Sequence, residues 1–260
     1  MRPISGGTAL MLMMKAGVLR PRRLVSLRKL DLSGVETVSS GELHIGAMTT
    51  LGDLERAAAV KRGWPAITRT LRTLSNVRVR NVATVGGALA HGDPHMDLPP
   101  LMSALGARVV ISGPAGQRRL PVEQLYKGYL ENTLRSDELI TRLEVPPLGR
   151  RRAAYLKCTT RSADDWPALG VAVVIDLQDD VARDISLVMS AATDKPTRLA
   201  DTEKLLRGKR PEQKLIQQAA EAAAAEVTIE SDMHGSAAYK KQLLRVYVQR
   251  VIDEARNALH

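Results

Sequence analysis

Between residues 81 and 94 the chain reads Asn81-Val82-Ala83-Thr84-Val85-Gly86-Gly87-Ala88-Leu89-Ala90-His91-Gly92-Asp93-Pro94. Two adjacent glycines follow a β-branched run, and a polar turn is expected after them. Glycine has no Cβ, so backbone of this kind can pass close to an anion and present bare N–H groups to it. A second segment of the same character, Ile4-Ser5-Gly6-Gly7-Thr8, lies near the N-terminus. Together they read as two walls of one pyrophosphate site, with a plain tight turn as the alternative for each alone. Neither has the spacing G-x-G-x-x-G or G-x-x-x-x-G-K-[ST], so neither a Rossmann nor a P-loop site is indicated.

Composition narrows the classes further. At 260 residues the chain can bury a substantial core in two or three compact units. Hydrophobic residues at 44% and charged residues at 25% match a soluble globular protein. The apolar run Leu10-Met11-Leu12-Met13-Met14 stops at Lys15, far short of the roughly 20 residues a membrane helix needs. The start of the chain also lacks the three-part pattern of a secretory signal, so a cytoplasmic location is expected. The net charge is +10, with clusters at Arg20, Arg22, Arg23, Arg28, Lys29 and at Arg150, Arg151, Arg152. Such an excess suits nucleic acid, a phosphate-bearing ligand or an acidic partner. Aromatic residues are only 3% and Phe is absent, which leaves few stacking platforms, so nucleic-acid binding is not expected. Most of these basic residues read as solvated surface. Cys158 is the only cysteine and cannot by itself hold an iron–sulfur cluster, so it reads as a packing residue. His91 and His95 are four apart, but Pro94 between them argues against one helix face, and no metal site is expected.

Along the chain, residues 11–15 predict a short helix directly after the first glycine turn, and 24–27 and 43–47 predict strands. Thr50 is a candidate N-cap for a helix over 51–61, with Asp53 as an imperfect capping box, and 65–73 predicts another helix. This first unit is α/β in character. The next combines a helix at 101–105, strands at 107–112 and 117–121 around the Gly113-Pro114-Ala115-Gly116 turn, and a strand at 139–145 stopped by Pro146-Pro147. Residues 149–152 read as a linker. Strands at 168–177 and 182–191 flank an Asp179-Asp180 turn, and helices are predicted at 199–206, 212–225 and 237–258. The last helix aligns Leu243, Leu244, Tyr247, Val248, Val251 and Ile252 as a packing face.

The wording of several segments is similar to the FAD-binding (medium) subunit of molybdenum hydroxylases, the family of aerobic carbon monoxide dehydrogenase medium subunits and xanthine dehydrogenase FAD domains. The segments are 79–87, 90–94 and Asp97-Leu98-Pro99-Pro100; Ser5-Gly6-Gly7-Thr8 with Met14-Lys15; Ile45-Gly46-Ala47-Met48-Thr49-Thr50; Glu138-Leu139-Ile140 before Val145-Pro146-Pro147; 157–166; and Gly235-Ser236-Ala237-Ala238-Tyr239-Lys240. They occur in the family's order and cover nearly the whole chain. The resemblance implies an α+β architecture. A two-part PCMH-type FAD-binding domain would span 1–149, with a small parallel α/β unit over about 1–60 and a mixed or antiparallel unit over 61–149. A small C-terminal sheet-plus-helices domain of the carbon monoxide dehydrogenase flavoprotein type would span 153–260. It further implies an oxidoreductase subunit that carries FAD and passes electrons from iron–sulfur clusters to an external acceptor. Molybdopterin and [2Fe-2S] clusters would reside in a large and a small partner subunit, assembled as a dimer of heterotrimers.

Carried over residue by residue, Ser5, Gly6, Gly7 and Thr8 form the first flavin loop, and Thr84, Gly86 and Gly87 the second. Their role would be backbone donation to phosphate oxygens, with the two threonine hydroxyls assisting. Asp97 matches an acid at the adenosine end, or it N-caps the following helix. Ile140 matches an apolar position on the flavin, or it is strand core. Lys157 matches a cation beside the isoalloxazine ring, or it is an exposed strand lysine. Arg161, Asp164 and Asp165 belong to a loop that gates the flavin face, and Trp166 to an aromatic that covers the ring, with plain core packing as the alternative for the aromatic. No catalytic acid, base or nucleophile is expected in the chain. Three departures motivate another reading, a non-catalytic scaffold with weak or no FAD binding. Relatives have a polar residue at Ala88, an acid or Ser at Ala9, and an initial strand and helix before the first loop. A self-contained flavin oxidase is disfavoured because no separate substrate domain is visible.

Overall fold

The computed structural model describes residues 1–258. Strand β1 (Arg2–Ile4), helix α1 (Leu10–Lys15) and strand β2 (Leu24–Ser26) come first, and β1 pairs with β2 in parallel. No residue of α1 is buried, so this unit has no core of its own. Strands β3 (Val35–Thr37) and β4 (Leu43–Gly46) lead into helices α2 (Leu51–Arg56), α3 (Ala58–Gly63), α4 (Pro65–Thr73), α5 (Val77–Arg80), α6 (Val85–His91) and α7 (Leu98–Ala104). Thr50 caps α2 as expected, its hydroxyl accepting the Asp53 N–H at 3.0 Å and donating to the Asp53 carboxylate at 2.7 Å.

The stretch predicted as one helix over 51–61 is two, broken at Ala57, whose ψ is 123°. On an unbroken helix Val60 would sit about 120° around the axis from Leu54. The break returns both side chains to the core, where each is fully buried. The tight turn read at Gly86-Gly87 is instead the start of a helix, α6, and the polar turn expected after it begins beyond the helix at Gly92, with φ of 77°. Glycine disfavours helix by about 1 kcal/mol relative to alanine, but a Cβ on Gly86 would lie 2.7 Å from that of Ala47. Tertiary packing overrides local preference here.

Strands β5 (Arg108–Gly113), β6 (Gly116–Pro121), β7 (Tyr126–Gly128), β8 (Glu131–Asn132) and β9 (Leu139–Val145) complete this part. An antiparallel sheet runs β3-β4-β9-β5-β6, with Leu43 opposite Val145 and Val109 opposite Leu143. Strand β4, assigned from sequence to the first unit, is therefore built into the sheet of the second. Its alternate residues Leu43 and Ile45 share one core with Val109, Ile111, Leu143 and Val145. The sheet draws strands from both sides of residue 60.

The segment expected as a linker runs directly into β10 (Arg152–Cys158). It is followed by β11 (Leu169–Gln178), β12 (Val181–Ser190), β13 (Thr197–Arg198) and helices α8 (Ala200–Leu206), α9 (Gln213–Glu226) and α10 (Ala237–Asn257). The four strands pair antiparallel in chain order, and the hairpin between β11 and β12 turns through Asp179 and Asp180, both at positive φ. Along β11, Val171, Val173 and Ile175 face the helices with Leu244, Val248, Val251 and Ile252. Ala172 and Val174 face the opposite way, into the core of the first part. Both faces of this sheet are thus covered, which is why β11 reads as a continuous apolar run. The expected C-terminal unit extends to His260, and Leu259 and His260 lie outside the described residues. Among the described residues no helix is long and apolar enough to cross a membrane.

Candidate cofactor-binding site

The two glycine segments, far apart in sequence, meet in space. Thr84 precedes α6 and its hydroxyl accepts the Gly87 N–H at 3.1 Å while donating to Ser5 Oγ at 3.0 Å. A Cβ on Gly6 would lie 2.1 Å from the Val82 carbonyl oxygen, and one on Gly87 would lie 2.8 Å from Ser5 Oγ. The glycines let the two loops close on each other. Gly7 adopts φ of 76°, the left-handed region that glycine enters without strain.

The first loop offers a run of free donors. The N–H groups of Gly6, Gly7, Thr8 and Ala9 donate no hydrogen bond among the described residues. They lead into α1, whose N-cap position, Ala9, makes no side-chain capping bond. In the second loop the N–H groups are engaged internally, Val85 on Thr49 O, Gly86 on Ala47 O and Gly87 on Thr84 Oγ1. The Gly86 and Gly87 N–H groups, expected as phosphate donors, thus already have partners within the chain. A cradle of unpaired N–H groups beside a helix start fits a diphosphate.

At the other end of α6, which at seven residues rises about 10 Å, a second polar group gathers. Asp97 is buried, and both its oxygens are engaged: Tyr155 donates its hydroxyl at 2.7 Å and Lys157 its ammonium at 2.8 Å. It makes no capping bond to α7, so the N-cap alternative fails. The Lys157 side chain is 7% exposed, so it is not a surface lysine. Its ammonium also donates to Thr73 O at 2.9 Å and Asp165 O at 3.1 Å. Burial pushes the Asp97 carboxyl above the usual carboxylate range, against the lowering effect of Lys157 and the two hydrogen bonds. Burial, then the Asp97 charge, push the Tyr155 phenol well above its ordinary value. Asp165 also accepts the Trp166 N–H at 2.9 Å, and Arg161 lies 3.9 Å from its carboxylate. Asp164 accepts from Ser162. Trp166 is 45% exposed, which excludes the core alternative for it. Ile140 is buried on β9 within the main core, the strand-core alternative of its two assignments. Ala88 is buried on α6.

The sequence pattern of the family described as FAD binding domain in molybdopterin dehydrogenase matches residues 1–148. The chain belongs to this family. The pattern of the CO dehydrogenase flavoprotein C-terminal domain matches residues 154–255. The chain is 32% identical to the glyceraldehyde dehydrogenase medium chain of Sulfolobus acidocaldarius over 97% of its length and 90% of the relative's. It is 30% identical to the carbon monoxide dehydrogenase medium chain of Afipia carboxidovorans, over 98% and 88%. The carbon monoxide dehydrogenase structure from Hydrogenophaga pseudoflava superposes with a TM-score of 0.94 at 30% identity, covering 98% of this chain and 88% of that one. The cofactor of the family is FAD, and its members are oxidoreductase flavoprotein subunits.

The bonds that some polar residues of this flavoprotein subunit make carried no sequence signal. Tyr155 reaches Asp97 because Gly170 on the neighbouring strand has no side chain: a Cβ there would lie 2.4 Å from Tyr155 Oη. Lys240 is fully buried and paired with Asp232, and His95 lies between Asp93 and Asp232. The run Ala237–Lys240 marked a family motif, yet the burial of its lysine depends on a sheet distant in sequence.

Proposed function

We propose that this chain is the FAD-carrying electron-transfer subunit of a multi-subunit molybdenum hydroxylase. The observation that carries the proposal is the run of N–H groups from Gly6 to Ala9, which find no acceptor among the described residues and are braced by Thr84 through Ser5. Ser5, Gly6, Gly7 and Thr8 would hold the diphosphate, with Thr84 fixing the loop and Gly86 and Gly87 permitting the approach. When bound, FAD supplies chemistry that couples one-electron to two-electron transfer. Lys157, tied to Asp97, Thr73 and Asp165, fixes the loop that presents Trp166, and Trp166 would shield the ring from water. Ile140 supports the strand behind it. Asp97 acts by holding Lys157 and Tyr155. Electrons would arrive from [2Fe-2S] clusters of a small partner subunit, since one cysteine cannot ligate a cluster here. Substrate would be oxidised at the molybdopterin centre of a large partner, in a dimer of heterotrimers working in the cytoplasm.

The test is to purify the chain together with the products of its adjacent genes and record the visible spectrum. The yellow bands of oxidised flavin, bleached by the complex's reducing substrate, are the expected result. An assembled complex whose visible absorption is that of iron–sulfur clusters alone and that takes up no FAD on titration would overturn the proposal. That outcome would instead support the scaffold reading, which Ala9 and Ala88 favour because neither carries a polar atom to offer a cofactor.

A further inference from the structure

The two parts of the molecule meet at a histidine. His95 lies between α6 and α7, its Nδ1 2.9 Å from Asp93 Oδ1 and its Nε2 3.2 Å from Asp232 Oδ2. Asp93 belongs to the FAD-binding part and Asp232 to the loop before α10. Lys240 anchors Asp232 at 2.6 Å and donates to Ala191 O at 3.0 Å, while the Ala191 N–H returns to Pro94 O at 2.9 Å. The connection is therefore a closed ring of bonds across the junction. The imidazole is flanked by Trp166, with ring centroids 5.6 Å apart and planes tilted 31°, and by His234 at 5.2 Å. Its side chain is only 13% exposed.

Ionised carboxylates only accept hydrogen bonds, so an imidazole wedged between two of them needs an N–H on each nitrogen, which it has as the cation. A cation packed against the indole gains further from the ring's quadrupole. We propose that His95 is a positioning residue: as an imidazolium it bridges Asp93 to Asp232, locks the C-terminal domain onto the FAD-binding part, and holds Trp166 at the cofactor. The last clause rests on the function proposed above, whereas the bridge itself does not. Other titratable groups face the same point. His91 lies 4.0 Å from the second oxygen of Asp93, and burial lowers its own pKa. The Tyr129 phenol is raised by burial and by Asp93. At Asp232 burial works to raise the carboxyl, but the bonds from Lys240, the His234 N–H and His95 outweigh it and hold it low.

The test uses the full chain with and without FAD. Trp64 and Trp166 are its only tryptophans, and a W166F variant separates their emission. In the FAD-free wild type, the bridge should hold Trp166 against His95 and limit its quenching by acrylamide. H95Q, D93N and D232N should each open Trp166 further to acrylamide. H95F keeps a ring beside the indole but neither hydrogen bond, and should behave like H95Q. Acrylamide quenching of Trp166 in H95Q no greater than in the wild type, although W166F shows that Trp166 emits, would overturn the bridge. In the FAD-loaded chain the same variants should restore flavin fluorescence. If the FAD-free results hold and flavin fluorescence does not change, the bridge stands and the placement of Trp166 at the ring is overturned. A chain that takes up no FAD would fail the proposed function and leave the FAD-free result to decide the bridge.

Discussion

Replacing Lys157 by methionine removes one member of a buried ion pair while keeping the length of the side chain. The Asp97 carboxylate, 5% exposed in its side chain, would lose its counter-charge and keep only the Tyr155 hydroxyl. Thr73 O and Asp165 O would lose their donor as well. Leaving one buried charge unpaired costs about 3–5 kcal/mol. For a chain of this size each kcal/mol lowers Tm by about 2–4 °C, so K157M should melt about 6–20 °C below the wild type. D97N should fall in the same direction. Because the two groups touch, the double variant should cost about 0.5–3 kcal/mol less than the sum of the singles. Differential scanning calorimetry on all four proteins measures the cycle. A K157M shift under about 3 °C, or strict additivity, would refute the argument that this pair ties α4, α7 and the 159–168 loop together.

Two further outcomes follow from the geometry. Gly6→Ala would push a methyl into the Val82 carbonyl, a backbone atom that cannot swing aside. Overpacking of this kind costs about 1–3 kcal/mol and should weaken FAD binding about tenfold or more on titration; Gly63→Ala, with open space and ordinary φ, should bind as the wild type does. Glu138 accepts two bonds from the Arg118 guanidinium at 2.9 Å each and one from the Arg135 N–H, which hold its carboxyl down at about 2 from an ordinary 4.5. A depressed carboxyl contributes stability above its unfolded value and loses it as pH falls through the folded one. The Tm gap between wild type and E138Q should therefore be constant above pH 4.5 and close as pH approaches 2; a gap independent of pH across that window would contradict the assignment.

Much of the architecture was legible in local pattern. The apolar face of α10 follows from helical spacing, and Leu244, Val248, Val251 and Ile252 are buried on it. Thr50 caps α2, Asp179 and Asp180 make the hairpin, and the family motifs place the chain among the molybdopterin dehydrogenase flavoproteins. These features depend on residues within a few positions of one another, where periodicity and capping act directly. Other features needed partners supplied from elsewhere in the fold. The helix over Gly86 and Gly87 runs against glycine's own preference because Ala47 and Ser5 leave room for nothing larger. Lys157 looked like a flavin contact or a surface lysine, and became the centre of a buried network only because β10, α4 and α7 converge on it. His95 carried no recognisable motif, and its role arises from an aspartate 137 residues away. A sequence states which atoms can donate, accept or be buried. Which donor meets which acceptor depends on how strands and helices are laid side by side, and that is decided by the packing of the whole core.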